Sequence, residues 1–247
     1  CTRLFAPGPK LIISERNSRF NDGSRIKALM KRLWHVLANY VVANSYDHSN
    51  WLKKAYPWLR NRTECIYNAA VPEVQALQSI SYVRRDNNKP LDLISIGRIS
   101  EQKNPQVLAR ACGLYLEKKG QAPVVTWVGR IDDSGGKRVK EETDNIIKSM
   151  GLTSNWTWAS ELKDINSVMH NKDALVLTSI FEGLPNVLGE AFNFGLPVIA
   201  SDVCENPRLI DAPRRGLLFR SDDEQSLLKQ LEFFESLNEK QIDGIKS

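Results

Sequence analysis

The sequence lacks several features that would place it in a special class of protein. No apolar run reaches the roughly 18 residues of a membrane-spanning helix, and no signal-peptide pattern opens the chain. The four cysteines show no Cys-x-x-Cys spacing, which indicates neither a zinc site nor a disulfide framework. No repeat or low-complexity segment interrupts the chain. These absences favour a soluble or peripheral globular protein with reduced thiols, in the cytoplasm.

The composition is that of a folded protein with a basic surplus. Hydrophobic residues make up 42% and charged residues 26% of the 247 residues, and the formal net charge is +5. Such a surplus fits nucleic acid, an anionic membrane surface or a phosphorylated small molecule. The six tryptophans are dispersed and no nucleic-acid recognition motif accompanies them, so we do not expect a nucleic-acid partner.

Short apolar strands alternate with helical patterns along the chain. Strands are predicted at 10–14, 40–43, 64–67, 91–96, 123–128, 155–158, 174–177, 197–200 and 216–219, and helices at 24–37, 47–55, 104–119, 137–150, 164–170, 187–194 and 223–238. The segment 68–90 has no periodicity and a proline near each end, which is typical of a linker. We therefore expect an α/β fold with two Rossmann-like parallel-sheet domains, over residues 1–88 and 89–247.

The start of the chain and its first predicted helix lead to two further expectations. Because the chain opens at Cys1 and enters an apparent strand almost at once, we expect the first domain to lack an upstream part.

The segment 24–37 has Met30, Leu33 and Trp34 on its apolar face and basic residues opposite. It either packs on its own sheet with a solvated basic face, which we favour, or also lies on anionic lipid.

Two cations follow the predicted strand 91–96. Ligands of open α/β sheets bind at the carboxyl ends of the strands, so residues at these ends matter most. Gly97 and Arg98 come directly after the strand, and Lys103 stands at the start of the next helix. Two cations at one strand end suit a diphosphate, because they would neutralise the charge that develops as it departs.

Two glutamates enclose a turn after another predicted strand. Between Glu182 and Glu190, Gly183 frees the backbone, Pro185 stiffens it, and Asn186 is the predicted N-cap of the following helix. Amides at such a helix start fit a phosphate. A phosphate would repel the carboxylates, so we expect them to accept hydrogen bonds from hydroxyl groups. The pattern predicts a ligand with a sugar, a phosphate and a second sugar.

These segments resemble a known family. GRISEQKN, from Gly97, and EGLPNVLGEAFNFGLPVIASDV, from Glu182, together resemble the donor-binding domain of the retaining glycosyltransferase family 4, whose E-x7-E pair falls on Glu182 and Glu190. The resemblance covers about 89–220, and 10–72 more loosely. It implies the two-domain GT-B fold, with residues 1–88 as the C-terminal portion of an acceptor-side domain plus linker, and 89–247 as the nucleotide-sugar donor domain.

The resemblance also implies roles for individual residues. Glu190 would hold the ribose diol, Glu182 would face the transferred sugar, and Arg98 and Lys103 would grip the pyrophosphate. The segment near 159–162 would lie by the base. The implied donor-binding set is Gly97, Arg98, Lys103, Ser160, Leu162, Glu182, Gly183, Leu184, Pro185, Asn186 and Glu190.

Two positions depart from the pattern of the family. Many relatives carry a histidine at the end of the first strand, where this chain has Ser14-Glu15-Arg16-Asn17. Glu15 and Arg16 are candidates for a catalytic role and, equally, for a plain salt bridge. Arg208 stands where relatives tend to have a glutamate.

We expect a retaining transferase that moves a sugar from a nucleotide-diphosphate sugar to a glycan, in surface polysaccharide or glycoconjugate synthesis. Glu182, Arg98 and Lys103 would be its catalytic residues. No metal or cofactor is expected, because the two cations neutralise the diphosphate. The acceptor is expected to be a glycan or a lipid-linked glycan, with possible contact through 24–37 to the inner face of the membrane.

Other interpretations stay open. The chain fits a non-catalytic nucleotide-sugar-binding module, and it also fits a GT-B epimerase that cleaves its own donor. Asp132 and Asp133 do not form a D-x-D motif and are expected in a solvated turn. The three histidines show no ligand spacing.

Overall fold

The computed structural model describes residues 10–16, 30, 33–68, 89–160, 166–211 and 215–246. They belong to two compact units, one of residues 1–69 with 181–184, and one of residues 70–180 with 185–247. The predicted linker and its end at residue 88 fall mostly outside the described residues, so that boundary stays a prediction.

The first unit contains a three-stranded parallel sheet in the order β1-β2-β3. Its strands are β1 (Ile12–Glu15), β2 (Tyr40–Ala43) and β3 (Thr63–Cys65). Helix α1 (Tyr46–Ala55) follows β2, and the Ser45 hydroxyl caps it by accepting from the His48 amide at 3.2 Å. Short 3₁₀ helices span Trp34–Leu37 and Pro57–Leu59. Aliphatic residues and one tyrosine form the core of this unit: Ala38, Val41, Ala43, Leu52, Tyr56 and Leu59.

In the part of segment 24–37 that the structure describes, the predicted apolar face is exposed to solvent. Most of the segment lies outside the described residues, but Met30, Leu33 and Trp34 are 62%, 52% and 65% exposed, whereas His35 is buried. The expectation that these three apolar side chains pack on the sheet is wrong. A 3₁₀ helix has three residues per turn instead of 3.6, so Trp34–Leu37 turns the imidazole of His35 inward.

The second unit contains a six-stranded parallel sheet in the order β6-β5-β4-β7-β8-β9. The strands are β4 (Asp92–Ile96), β5 (Val124–Val128), β6 (Trp156–Ala159), β7 (Ala174–Leu177), β8 (Val198–Ser201) and β9 (Gly216–Phe219). Each bound lies within one residue of its predicted position. The strand order reverses between β4 and β7, and the crevice at such a reversal is where ligands of this architecture bind.

Helices connect or follow these strands, and most lie where the apolar periodicity of the sequence predicts them. They are α2 (Pro105–Lys119), α3 (Gly136–Ser149), α4 (Asn166–Met169), α5 (Asn186–Asn193), α6 (Asn206–Ile210), α7 (Glu224–Ser236) and α8 (Glu239–Lys246). Helix α2 packs between α3 and α7. Helices α6 and α8 were not predicted.

The core of the second unit is apolar. All residues of β7 and β8 are buried, as expected of central parallel strands covered on both faces. Burial raises the pKa of the Cys112 thiol on α2 to about 12, so this cysteine behaves as a core side chain. Among the helices of the described residues, none combines the length and the apolar character that crossing a membrane requires.

Candidate active site

The loop between β4 and α2 seats Lys103 over Gly97. A Cβ atom at Gly97 would lie 2.9 Å from Lys103 Cε and 3.1 Å from Cδ, so the methylene groups of the lysine occupy the space that a side chain would take. The backbone of Gly97, at φ +156°, also favours glycine. The missing side chain therefore lets the lysine lie at the carboxyl end of β4.

The end of β5 holds this loop from the other side. The Gly97 amide donates to the Val128 carbonyl at 2.9 Å, and the Trp127 indole N–H donates to the Gly97 carbonyl at 2.9 Å. A Cβ atom at Gly129 would collide with the same carbonyl, so glycine is needed there as well. Both polar groups of the Gly97 backbone are thus bonded to β5.

Arg98 carries a carboxylate partner that sequence reasoning missed. Its Nη1 atom donates to Asp132 Oδ1 at 2.9 Å, and the Asp132 side chain is only 18% exposed. The two loops run side by side, since Ile99 bridges to Ile131. The expected solvated turn is wrong for Asp132, whereas Asp133 is exposed. No spacing rule joins residues 34 positions apart, so only the pairing of β4 with β5 reveals this contact.

The loop after β7 is bonded to the loop after β4. The Thr178 hydroxyl donates to the Lys103 carbonyl at 2.7 Å, and the Ile180 amide donates to the Gln102 carbonyl at 2.8 Å. The Ser201 hydroxyl, at the end of β8, donates to the Ser179 carbonyl at 2.6 Å. The structure thus brings the loop of Arg98 and Lys103 together with the start of the segment that leads to α5.

The two glutamates of the predicted pair occupy different environments. Glu182 is buried, and it lies in the short segment 181–184 that belongs to the first compact unit. Glu190 lies one helical turn into α5 and is half-buried. Burial raises the pKa of Glu190 above its ordinary value of 4.5, because a partly desolvated carboxylate is less stable in its charged form.

The helix start between the glutamates differs by one residue from the prediction. Pro185 occupies the cap position and is buried, and Asn186 is already the first residue of α5. The predicted side-chain cap by Asn186 is therefore wrong. The cause is the proline, whose carbonyl accepts from the Leu188 amide at 3.1 Å and so begins the helix. Gly183 and Leu184 are half-buried in the approach to this helix.

The remaining predicted donor residues are only partly described. Ser160 directly follows β6 and is exposed. Leu162 lies outside the described residues. A position of either residue beside a nucleotide base stays a prediction. Arg208, where the family tends to have a glutamate, is exposed and has its Nε atom 3.5 Å from the buried Glu205.

Glu15 lies between two histidines in the first unit. Its carboxylate is 3% exposed, with Oε1 3.4 Å from His35 Nε2 and Oε2 3.5 Å from His48 Nε2. Spacing did not link the two histidines, because they come from different elements. Arg16 is exposed. The arrangement gives Glu15 buried partners, and a catalytic role for Glu15 or Arg16 stays a prediction.

Metal binding has no support in the part of the chain that the structure describes, where no group of three His, Cys, Asp or Glu side chains is placed to hold an ion. That observation does not test the expected independence from metal, which stays a prediction.

Two parallel-sheet units, the second with a strand order that reverses between β4 and β7, have the architecture of the GT-B fold. The chain belongs to the family of glycosyl transferases group 1, whose model matches residues 80–246. The predicted GT-B fold is confirmed, whereas the finer assignment to family 4 and to a retaining reaction is not tested by this match.

Curated relatives are similar over part of their length. An uncharacterized glycosyltransferase of Methanocaldococcus jannaschii is 25% identical over 230 residues, which is 86% of this chain and 53% of the relative. The UDP-Gal:alpha-D-GlcNAc-diphosphoundecaprenol alpha-1,3-galactosyltransferase of Escherichia coli is 30% identical over 55% of this chain and 34% of its own length. The chain therefore spans about half or less of these two proteins.

A solved structure shares the fold. Anabaena HepE in complex with UDP and glucose superposes with a TM-score of 0.79 at 18% sequence identity, over 96% of this chain and 65% of that chain. At this identity the similarity establishes the fold alone.

Replacing Gly97 by alanine tests how Lys103 is seated. The added methyl group pushes the flexible lysine chain off the strand end, and the φ of +156° strains any side chain at this position. We therefore expect Gly97→Ala to lose roughly 1–2 kcal/mol of unfolding free energy and to bind inorganic pyrophosphate more weakly. Gly244→Ala is the control, because nothing lies within 4 Å of a Cβ atom there. Urea unfolding and pyrophosphate titration give the two readouts. A Gly97→Ala protein indistinguishable from wild type in both would contradict this seating.

Proposed function

We propose that this chain is part of a retaining glycosyltransferase that moves a sugar from a nucleotide-diphosphate sugar to a hydroxyl of a glycan acceptor. The proposal is carried by hydrogen bonds between two loops at the switch point of the sheet. One loop contains Arg98 and Lys103, and the other leads into α5. Membership of the group 1 family supports it.

The donor diphosphate binds at the ends of β4 and β7. Lys103 supplies an ammonium group, and Arg98 supplies a guanidinium with five N–H donors, of which the contact with Asp132 occupies only part. The amides at the start of α5 add the positive end of a helix dipole. Together these groups neutralise the charge on the departing diphosphate, and we expect no metal to be required for that task.

The sugar transfer keeps the configuration of the anomeric carbon. The bond between that carbon and the diphosphate oxygen breaks, and the acceptor hydroxyl forms its new bond on the same face. The acceptor proton passes to the departing phosphate oxygen, so no separate base is needed. Glu182 faces the transferred sugar and Glu190 accepts from the ribose diol, because ionised carboxylates are pure acceptors for hydroxyl donors.

The proposed acceptor is a lipid-linked glycan at the inner face of the membrane. Support comes from relatives whose names specify diphosphoundecaprenol-linked substrates, in Escherichia coli and Campylobacter jejuni. Exposed apolar side chains at Met30, Leu33 and Trp34, within a segment rich in lysine and arginine, support peripheral contact with anionic lipid.

An assay of nucleotide release tests the proposed reaction. The full-length protein is incubated with UDP-, GDP- and ADP-sugars, with and without a sugar linked to a polyprenyl diphosphate. We expect release of one nucleotide only when the acceptor is present. Release without acceptor would identify an epimerase that cleaves its own donor, and binding without any release would identify a non-catalytic module. A preliminary thermal-shift screen of UDP, GDP and ADP selects the base, because a bound nucleotide stabilises the fold.

Substitution of Glu190 tests its contact with the ribose diol. Because burial raises its folded pKa, Glu190 takes up a proton at a higher pH than an ordinary glutamate, and the neutral form is the weaker acceptor. Nucleotide affinity should therefore fall as the pH drops through this raised pKa. Glu190→Gln should bind roughly tenfold more weakly, with no such pH dependence.

Calorimetric titration with the selected nucleotide provides the measurement for Glu190. The matched control is Glu141→Gln, which alters an exposed glutamate on α3. Wild-type affinity in Glu190→Ala at neutral pH would rule out the ribose contact.

Vesicle binding tests the proposed membrane contact. We expect the wild-type protein to sediment with vesicles that contain phosphatidylglycerol, to a smaller extent at high salt, and not with pure phosphatidylcholine. Trp34→Glu should bind several-fold less, since it places a carboxylate in the exposed apolar patch. Trp58→Glu is the control, because Trp58 is an exposed tryptophan of the same unit outside segment 24–37. Equal binding of both variants would contradict contact through this segment.

A further inference from the structure

We propose that Trp127 is a positioning residue for the Gly97–Arg98 turn, acting through the hydrogen bond from its indole N–H to the Gly97 carbonyl. The inference rests on the proposed function only in that it assigns this turn to the donor diphosphate. Nothing in the sequence pattern marks Trp127, which reads as an ordinary core residue of a buried strand.

The hydrogen bond forms where the backbone leaves the sheet. Up to Ile96, β4 pairs with β5 in regular parallel register, and the Gly97 amide still donates to Val128. Pairing resumes at Ile99, whose amide donates to the Arg130 carbonyl at 2.8 Å. Between these points the Gly97 carbonyl turns to the indole of Trp127, at 2.9 Å. The side chain thus replaces a backbone partner at the one break in the pairing.

The geometry of the peptide bond transmits this contact to Arg98. The Gly97 carbonyl and the Arg98 amide belong to one planar trans peptide unit and point in opposite directions. Holding the oxygen against the indole therefore directs the Arg98 N–H away from it. The guanidinium of Arg98 is held separately by Asp132, so backbone and side chain of the arginine are each fixed by a residue of β5 or of the loop after it.

Trp127 belongs to a cluster of three tryptophans whose rings pack against one another. Trp127 is 1% exposed and lies against Trp156 with ring centroids 6.4 Å apart and against Trp158 at 5.9 Å. Trp158 is tied to α3, since its Nε1 donates to Asp144 at 2.7 Å and the Lys140 ammonium lies 5.2 Å from its ring centroid. The donor to Gly97 is therefore part of a rigid support that reaches from β6 and α3 to the turn.

The cluster also provides an internal comparison for this contact. Trp156 Nε1 is buried and has no hydrogen-bond partner among the described protein groups. The three rings thus provide a matched series. Trp127 donates to the turn, Trp158 donates to α3, and Trp156 donates to neither.

The experiment compares Trp127→Phe, Trp156→Phe and Trp158→Phe in the full-length protein. All three replace a large ring of one cluster by a smaller one, but only the first removes the bond to Gly97. Amide hydrogen exchange over residues 97–100 is measured first, because it does not depend on any ligand. We expect faster exchange in Trp127→Phe alone at Gly97 and Ile99, whose amides donate to Val128 and Arg130 on either side of the turn. Equal exchange in Trp127→Phe and Trp156→Phe would overturn the inference.

Binding and kinetics supply the second readout. The probes are inorganic pyrophosphate and whichever of UDP, GDP and ADP stabilises the wild-type protein. For Trp127→Phe we expect about three- to tenfold weaker binding than for Trp156→Phe. We also expect a raised KM for the donor and a lowered kcat, because the turn carries the arginine that neutralises charge developing in the transition state. If the wild-type protein binds none of these probes, the proposed function fails, while hydrogen exchange still decides the role of Trp127.

A second variant covers the case in which Trp127→Phe does not fold. Incorporation of benzothienylalanine at position 127 keeps the shape of the indole and replaces its N–H by sulfur. Faster exchange at the Gly97 and Ile99 amides in this protein supports the positioning role, and unchanged exchange contradicts it.

Discussion

The pairing of β4 with β5 on one side and with β7 on the other is the constraint on which the second unit depends. Parallel strands need crossover connections, and right-handed crossovers in two directions from β4 place helices on both faces of the sheet. The loops that leave β4 and β7 then diverge at their carboxyl ends. This reversal puts Gln102 and Lys103 beside Ile180 and Thr178, although Lys103 and Thr178 are 75 residues apart in the chain.

Hydrogen bonds between loops turn this meeting point into a fixed site. The loops after β4 and β7 are bonded through Thr178 and Ile180, and the end of β8 is bonded to the second of them through Ser201. The Gly97–Arg98 turn is held by Trp127 of β5 and by Asp132 of the loop after it. The proposed diphosphate site would gain from such order, because charged groups held in place before binding need no rearrangement when the ligand arrives.

The fold was largely predictable, and the errors have local causes. Strands such as β7 and β8 are short apolar runs bounded by polar residues, and the structure places every strand of the second unit within one residue of expectation. The prediction was wrong at Trp34–Leu37, where a 3₁₀ helix changes the buried face, and at Pro185, which displaces the cap of α5 by one residue. Both errors arise at helix ends, where backbone geometry departs from the regular period.

The sequence by itself determined the family, the sheet architecture and the spacing of Arg98, Lys103, Glu182 and Glu190, because these are properties of short segments. Only the tertiary structure decided the partners: Asp132 on Arg98, Trp127 on Gly97, and His35 and His48 on the buried Glu15. These contacts join residues on different strands and helices. Strand order and loop path bring them together, and no local pattern of side chains encodes such distant pairs.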